Sequence, residues 1–267
     1  MGGSAQSMSA GGQNIKLVIA YDGTRYHGWQ RQPGEVPTIQ GCLEEVIGSL
    51  VGHDVVVNGA GRTDAGVHAA GQVANFLTTN RRIPLANLRP AIDGRCPADI
   101  SVLSAEEVPA AFHASRWALD KTYRYRIHLG PARPVMLVNQ VYHYPRPLEA
   151  PRMAAAASRL LGEHDFRAFA YSAERRENTV RTLTRCDVSA AGDELHVTVC
   201  ASGFLYRMVR NIVGTLIEIG RGRWEVQTVD RILAGRDRRL AGPTAPPGGL
   251  CLMHVRYPAP SAGPAGA

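Results

Sequence analysis

Hydrophobic and polar positions along this chain switch between two periods, and the switches recur in the same order in both halves. Ile15 to Tyr21 is rich in β-formers and ends on Asp22-Gly23, a turn signal, so it predicts a strand. Ile39, Leu43, Val46, Ile47 and Leu50 then fall at helical spacing behind Thr38, a residue suited to cap a helix. Val55–Val57 reads as a short strand running into Gly59-Ala60-Gly61, and Gln72–Leu77 reads as another. Pro84 opens a helix with Leu85, Leu88 and Ile92 on one face, and Ile100–Leu103 closes the unit as a strand. The order is β-α-β-β-α-β.

The second half repeats it with longer pieces. Tyr123, Tyr125 and Ile127 alternate with Thr122, Arg124, Arg126 and His128, which predicts a strand over 122–129. Val138–Tyr144 reads as its neighbour. Pro151–Leu161 is alanine-rich and predicts a helix stopping near Gly162. Leu183–Val188 and Leu195–Cys200 read as strands around a turn at Gly192-Asp193. Leu205–Gly220 reads as a long helix with Leu205, Met208, Ile212, Leu216 and Ile219 as its buried stripe, and Cys251–Tyr257 as a closing strand.

The pattern predicts an α+β chain of two ferredoxin-like (RRM-like) halves sharing an extended, mostly antiparallel sheet, with helices on one face and a central cleft. The expected divisions are a leader at 1–14, an N-terminal unit at 15–112, a C-terminal unit at 113–257 and a tail at 258–267.

Composition narrows the class. With 267 residues, 45% hydrophobic and 20% charged, the chain can bury a full core without staples. No apolar run approaches the roughly 18 residues of a membrane span. The first fourteen residues carry neither a charge nor an apolar stretch, unlike a signal peptide. The five cysteines are widely spaced with no CxxC pair, which argues against a zinc site of that kind and against a dithiol redox motif. Isolated thiols fit a cytoplasmic protein. The net charge of +7 is uneven: residues 1–115 hold 8 basic and 10 acidic side chains, residues 116–267 hold 22 and 13. A basic half beside a near-neutral one suggests a polyanionic partner. All but two of the 30 basic residues are arginine, which base composition of the genome explains equally well.

The segment with most chemical content is Gly59-Ala60-Gly61-Arg62-Thr63-Asp64-Ala65-Gly66-Val67-His68, between two predicted strands. Its glycines let another surface approach closely. Asp64 sits two positions from Arg62, and a nearby arginine favours the ionised carboxylate, fit to act as base or nucleophile. From pattern alone, the commoner role of such an aspartate is to cap a turn. The glycines do not form a dinucleotide fingerprint, and no Walker A or HExxH sequence occurs, so nucleotide triphosphates and metal lack motif support.

Gly61–Ala69, GRTDAGVHA, resembles the signature of the TruA family of tRNA pseudouridine synthases. Further blocks are similar in order: Tyr21-Asp22-Gly23-Thr24, Gly28-Trp29-Gln30-Arg31-Gln32, Phe112-His113-Ala114, Lys121-Thr122-Tyr123-Arg124-Tyr125, Leu161–Phe166, Met208–Leu216 and Ala245–Leu250. The resemblance spans about residues 15 to 257. It implies Asp64 as catalytic aspartate, Tyr123 as the tyrosine stacking on the target base, Arg210 as the arginine pairing with the aspartate, and Arg62 as an RNA-engaging residue. It implies conversion of uridine to pseudouridine at positions 38, 39 and 40 in the anticodon arm of tRNA, by a homodimer. That isomerisation involves no net redox or hydrolysis, so no cofactor and no metal are expected, nor any membrane partner.

The carboxylate can attack C1′, remove a sugar proton to give a glycal, or attack the pyrimidine ring; sequence leaves all three open. A non-catalytic RNA-binding module, and a synthase acting on another RNA, are the rival readings. Packing or hydrogen bonding is the expected role of His68, packing that of Trp29, and a core position that of Tyr125. Arg207 is expected one turn before Arg210 on the same helix, solvated or on a phosphate. Arg231–Arg239 is expected to be a solvated helix end.

Overall fold

The computed structural model describes residues 12–174 and 176–259. The expected leader and tail lie for the most part outside the described residues, although Gln13 and Asn14 belong to the first strand. The first half runs β1 (Gln13–Tyr21), α1 (Ile39–Val51), β2 (Asn58–Gly59), β3 (His68–Thr78), α2 (Leu85–Asp93) and β4 (Ile100–Val108). The second runs β5 (Asp120–His128), β6 (Tyr142–His143), α3 (Ala150–Ser158), β7 (Gly162–Asp165), β8 (Val180–Ala191), β9 (Glu194–Ala201), α4 (Met208–Gly220), α5 (Thr228–Gly235) and β10 (Leu250–Arg256).

These strands form one 10-stranded sheet in the order β4-β1-β3-β10-β5-β9-β8-β7, with β2 added to β3 and β6 to β5. Each half has the ferredoxin-like order: β4-β1-β3-β2 in the first, β10-β5-β9-β8 in the second. The halves join where β10 runs parallel to β3, Cys251 opposite His68 and Leu252 opposite Ala69. β1 occupies the other edge of β3 along nearly its whole length. The edge shared by β10 also takes β2, at Asn75 and Ala74. Residues 60–67 therefore leave the sheet at the fork between β2 and β10.

The main core lies on the face that the helices cover. Ile15, Leu17, Ile19 and Tyr21 of β1 alternate into it and meet Ile39, Leu43 and Ile47 of α1. Thr38 caps α1 by accepting from the Gly41 N–H (3.2 Å), as the pattern predicted. The other sheet face is covered by the linker, where Phe112 and Ala114 pack on Ala60 and Val73. Buried Asn14 and Asn75 fasten it: Asn75 donates to Asn14 (2.9 Å), Asn14 donates to the Phe112 carbonyl (2.9 Å), and Asn75 accepts from the Ala114 N–H (2.9 Å).

Several boundaries differ from the sequence pattern, each for a physical reason. Val55–Val57 is not a strand: the Val57 N–H donates to Glu44 Oε1 (3.1 Å), and only Asn58–Gly59 reach the ladder. Of Val138–Tyr144, only Tyr142–His143 pair with β5. α3 stops at Ser158 because the following turn tightens to three-residue hydrogen bonds, Arg159 to Ala156 and Leu160 to Ala157. α4 begins at Met208 rather than Leu205, because Arg207 adopts a left-handed conformation at φ +62°. α5, by contrast, ends at Gly235, inside the 231–239 run read as a helix end, where Arg236 turns left-handed at φ +52°.

Candidate active site

Residues 60–67 are pinned from below. Gln72 donates to the Gly61 carbonyl (2.8 Å), and the Tyr21 hydroxyl bonds the Thr63 hydroxyl (2.8 Å). The Val67 N–H closes a turn onto the Asp64 carbonyl (3.1 Å), with Gly66 at φ +75° supplying the left-handed third position such a turn demands. From the side, the Trp29 N–H donates to the Thr63 carbonyl (3.1 Å). The neighbouring Gly28, at φ +93°, lies so close that a methyl group there would sit 2.6 Å from the Thr63 oxygen. The Gly28-Trp29 segment thus buttresses the backbone that carries Asp64.

Asp64 faces the second half. Arg210 Nη1 donates to its Oδ2 at 2.8 Å, and both side chains are mostly buried, 12% and 15% exposed. Arg210 is itself aimed by the loop before β10: its Nε donates to the Ala245 carbonyl (2.7 Å), and the Ala245 N–H returns a bond to the Arg210 carbonyl (3.1 Å). The arginine beside the acid is therefore Arg210, supplied across the sheet, and not Arg62, the neighbour in sequence. Arg62 is exposed, at the rim of the cleft, and makes no ion pair among the described residues.

The acid opens into a cleft of about 1000 Å³ between the halves, whose walls include Arg62, Asp64, Lys121, Tyr123, Phe204 and Arg210. All four residues singled out from the sequence, Arg62, Asp64, Tyr123 and Arg210, border it. Tyr123 projects from β5 beside Tyr125 on the same sheet face. Its ring meets Phe204 edge-on at 5.1 Å between centroids. Burial, with the Asp64 carboxylate adding to it, pushes the Tyr123 phenol far above its usual range. Tyr125 is fully buried and donates to the Pro246 carbonyl (2.8 Å), a core residue as expected.

His68 has a tying role. Its Nδ1 accepts from the Gly23 N–H (3.1 Å), leaving Nε2–H to donate to the Asn139 carbonyl (2.7 Å), so the ring joins both halves. Trp29 is buried, 2% exposed, and packs under the loop. Arg207 lies outside α4: its guanidinium rests over the rings of Tyr171 (4.7 Å) and Tyr206 (5.1 Å). In the Arg231–Arg239 run, Arg238 is bound inward to Asn211 (3.0 Å) and Thr244 (3.1 Å), while Arg239 pairs with Asp237 (2.6 Å) in solvent.

Sequence reasoning missed Phe204 and Lys121. Phe204 precedes a helix that was expected to start one residue later. Lys121 had a signal: it is one of two lysines among 30 basic residues. The five cysteines are all free. Among the described residues no group of three or more His, Cys, Asp or Glu side chains is placed to hold a metal ion, and no helix is long and apolar enough to cross a membrane.

Compared with known proteins, the chain matches a family model described as tRNA pseudouridine synthase, over residues 17–116 and 156–258. The tRNA pseudouridine synthase A of Geobacter sp. (strain M21) is 45% identical over 247 residues, covering 92% of this chain and 99% of that protein. The tRNA pseudouridine synthase A 2 of Clostridium perfringens is 42% identical over 246 residues, covering 92% of this chain and 100% of that one. Among solved structures, a Cbf5-Nop10-Gar1 complex aligns over 89% of this chain and 57% of that chain, at 10% identity and a TM-score of 0.34, too distant to bear on the site.

Proposed function

This chain belongs to the tRNA pseudouridine synthase family, and from that premise we propose that it isomerises uridine to pseudouridine at positions 38, 39 and 40 of the tRNA anticodon arm, with Asp64 as the catalytic carboxylate. The observation that carries the residue assignment is the Asp64–Arg210 pair, drawn from opposite halves into one cleft with Tyr123.

The reaction breaks the N1–C1′ bond, turns the uracil and joins C5 to C1′. The C5 hydrogen leaves as a proton and N1 gains one, so atoms and electrons balance without a co-reactant. A base inside a stem cannot reach a recessed carboxylate, so the uridine leaves the stack and enters the cleft. Tyr123 offers the ring on which the uracil rests, a contact of about 1–3 kcal/mol. Arg210 keeps Asp64 oriented ahead of the reaction, so no reorganisation is needed when positive charge builds at C1′. Arg62, at the rim, grips the backbone or fills the vacated stack.

The active unit of this reading is a cytoplasmic homodimer, after the family resemblance, with residues 15–112 supplying the acid and 113–257 the arginine and tyrosine. The five free thiols fit a reducing compartment. Carbodiimide-adduct primer extension on unmodified tRNA tests the assignment. Asp64→Ala is expected to abolish the stops at 38–40 while tRNA binding persists. Undiminished stops would refute Asp64, and stops only in a ribosomal RNA fragment would refute the substrate.

A further inference from the structure

Lys121 is a chemical exception. The chain uses arginine at nearly every basic position, yet a lysine stands two residues before Tyr123 on β5. Alternation along the strand puts both side chains on the same sheet face. Both also crowd Gly61 of the catalytic loop: a methyl built there would lie 3.3 Å from Lys121 Cε and 4.0 Å from the Tyr123 hydroxyl. The stem of Lys121 is thus laid along the loop, and the side chain borders the cleft that Asp64 faces.

The ammonium is half-buried and has no hydrogen bond or ion pair among the described residues. Its neighbour Asp120 offers only a distant attraction, since that carboxylate is taken by Arg256. Most arginines bordering acids in this protein are paired, as Arg126 is with Glu194 (2.7 Å) and Arg210 is with Asp64 (2.8 Å). A cation held partly out of water without a counter-charge is costly unless an anion arrives. Burial indeed pushes the Lys121 ammonium below its usual range.

Resting on the function proposed above, we propose that Lys121 is a further catalytic residue: its ammonium is the counter-charge for the uracil anion formed when the N1–C1′ bond breaks. Heterolysis leaves the bonding pair on N1, and the charge spreads to O2 and O4. A uracil resting on Tyr123 presents an edge toward the side where that hydroxyl and Lys121 flank Gly61. The ammonium then stabilises charge that exists only after the bond has begun to break, which accelerates the step without tightening ground-state binding. A compact ammonium suits a mobile anion that must still turn to present C5, whereas a planar guanidinium fork would hold it in one orientation.

The test uses the full chain and unmodified tRNA transcribed with [5-³H]uridine, since tritium leaves C5 as the new bond forms. Single-turnover release, tRNA affinity and the dependence of affinity on salt are measured for the wild type, Lys121→Met, Lys121→Gln and Lys121→Arg. Both neutral variants are expected to slow release by about 100-fold. Their tRNA affinity and salt slope stay those of the wild type, and Lys121→Arg recovers part of the rate. Unchanged release overturns the proposal. So does a salt slope reduced by about 0.9, which makes Lys121 a phosphate contact instead. Retained tRNA affinity certifies folding; if Lys121→Met fails that check, Lys121→Gln carries the test. Absence of release by the wild type would defeat the functional reading itself, a result distinct from wild-type release that the variants match.

Discussion

The two halves of the molecule have the same topology, and their second hairpins differ most. In the C-terminal unit, β8 (12 residues) and β9 (8 residues) form a long ladder closed by a tight turn at Gly192-Asp193. In the N-terminal unit, the corresponding β2 keeps only 2 residues, and the connection to β3 swells into residues 60–67 with Asp64 inside. The shortening has a cause in the sheet. β10 takes the His68–Ala69 stretch of the β3 edge that a full-length β2 would occupy. Displaced backbone must find partners elsewhere, and it finds them in Gln72, Trp29 and the Asp64–Val67 turn. One unit thus spends its hairpin on sheet stability, while the other gives up ladder bonds to hold an acid at the junction.

The comparison predicts a steep contrast between the two hairpin tips. Asp64→Ala should lower turnover by at least about 1000-fold, while Asp193→Ala, at the other tip, should leave it within about twofold. Tritium release from C5-labelled tRNA measures both, and a large effect at Asp193 would break the division of labour. Next in size is Arg210→Met. Leaving Asp64 mostly buried without its partner should slow turnover about 100-fold and lower stability by about 2 kcal/mol in urea unfolding. Asp64→Asn in the same background should relieve the stability loss without restoring turnover.

Glycines at the two sites sharpen the contrast further. Gly28→Ala meets both φ +93° and the Thr63 carbonyl, so it should cost about 3 kcal/mol and slow turnover by shifting the acid. Gly192→Ala meets only φ +58° in open space and should cost about 1 kcal/mol with turnover intact. The smallest effect concerns the regular hairpin. Glu194, just past its turn, accepts from Arg126 Nε (2.8 Å) and Nη2 (2.7 Å), which hold its carboxyl below the usual range. That stabilisation is complete above the unfolded value of about 4.3 and is lost as pH falls through the depressed folded value. Glu194→Gln should therefore lower the urea midpoint at pH 7 and approach the wild type in acid.

What the sequence revealed follows from how local each signal is. The stripes behind Thr38, the alternation of β5 and the turn at Gly192 are set by neighbours a few residues apart, and they stand where the pattern puts them. What keeps Val55–Val57 off the ladder is a partner on another element: the antiparallel register would set them against the far end of β3, but the Val57 N–H donates to Glu44 of α1 instead. Spacing along the chain alone favours Arg62 as the neighbour of Asp64, whereas the family resemblance implies Arg210, 146 residues away; what no stretch of sequence displays is the Ala245 backbone that aims its guanidinium. The late start of α4 escaped for a similar reason: nothing in the residue type of Arg207 announces a left-handed backbone.

The parallel seam between β3 and β10 also has a consequence in time. A nascent chain halted before Ala245 already contains Asp64, Tyr123 and Arg210, but lacks the strand that sits between β3 and β5 and the loop carbonyl that steers the guanidinium. Chemistry therefore waits on the closing segment of synthesis, and a ribosome-bound fragment would meet RNA with all its reactive groups present and none of them assembled.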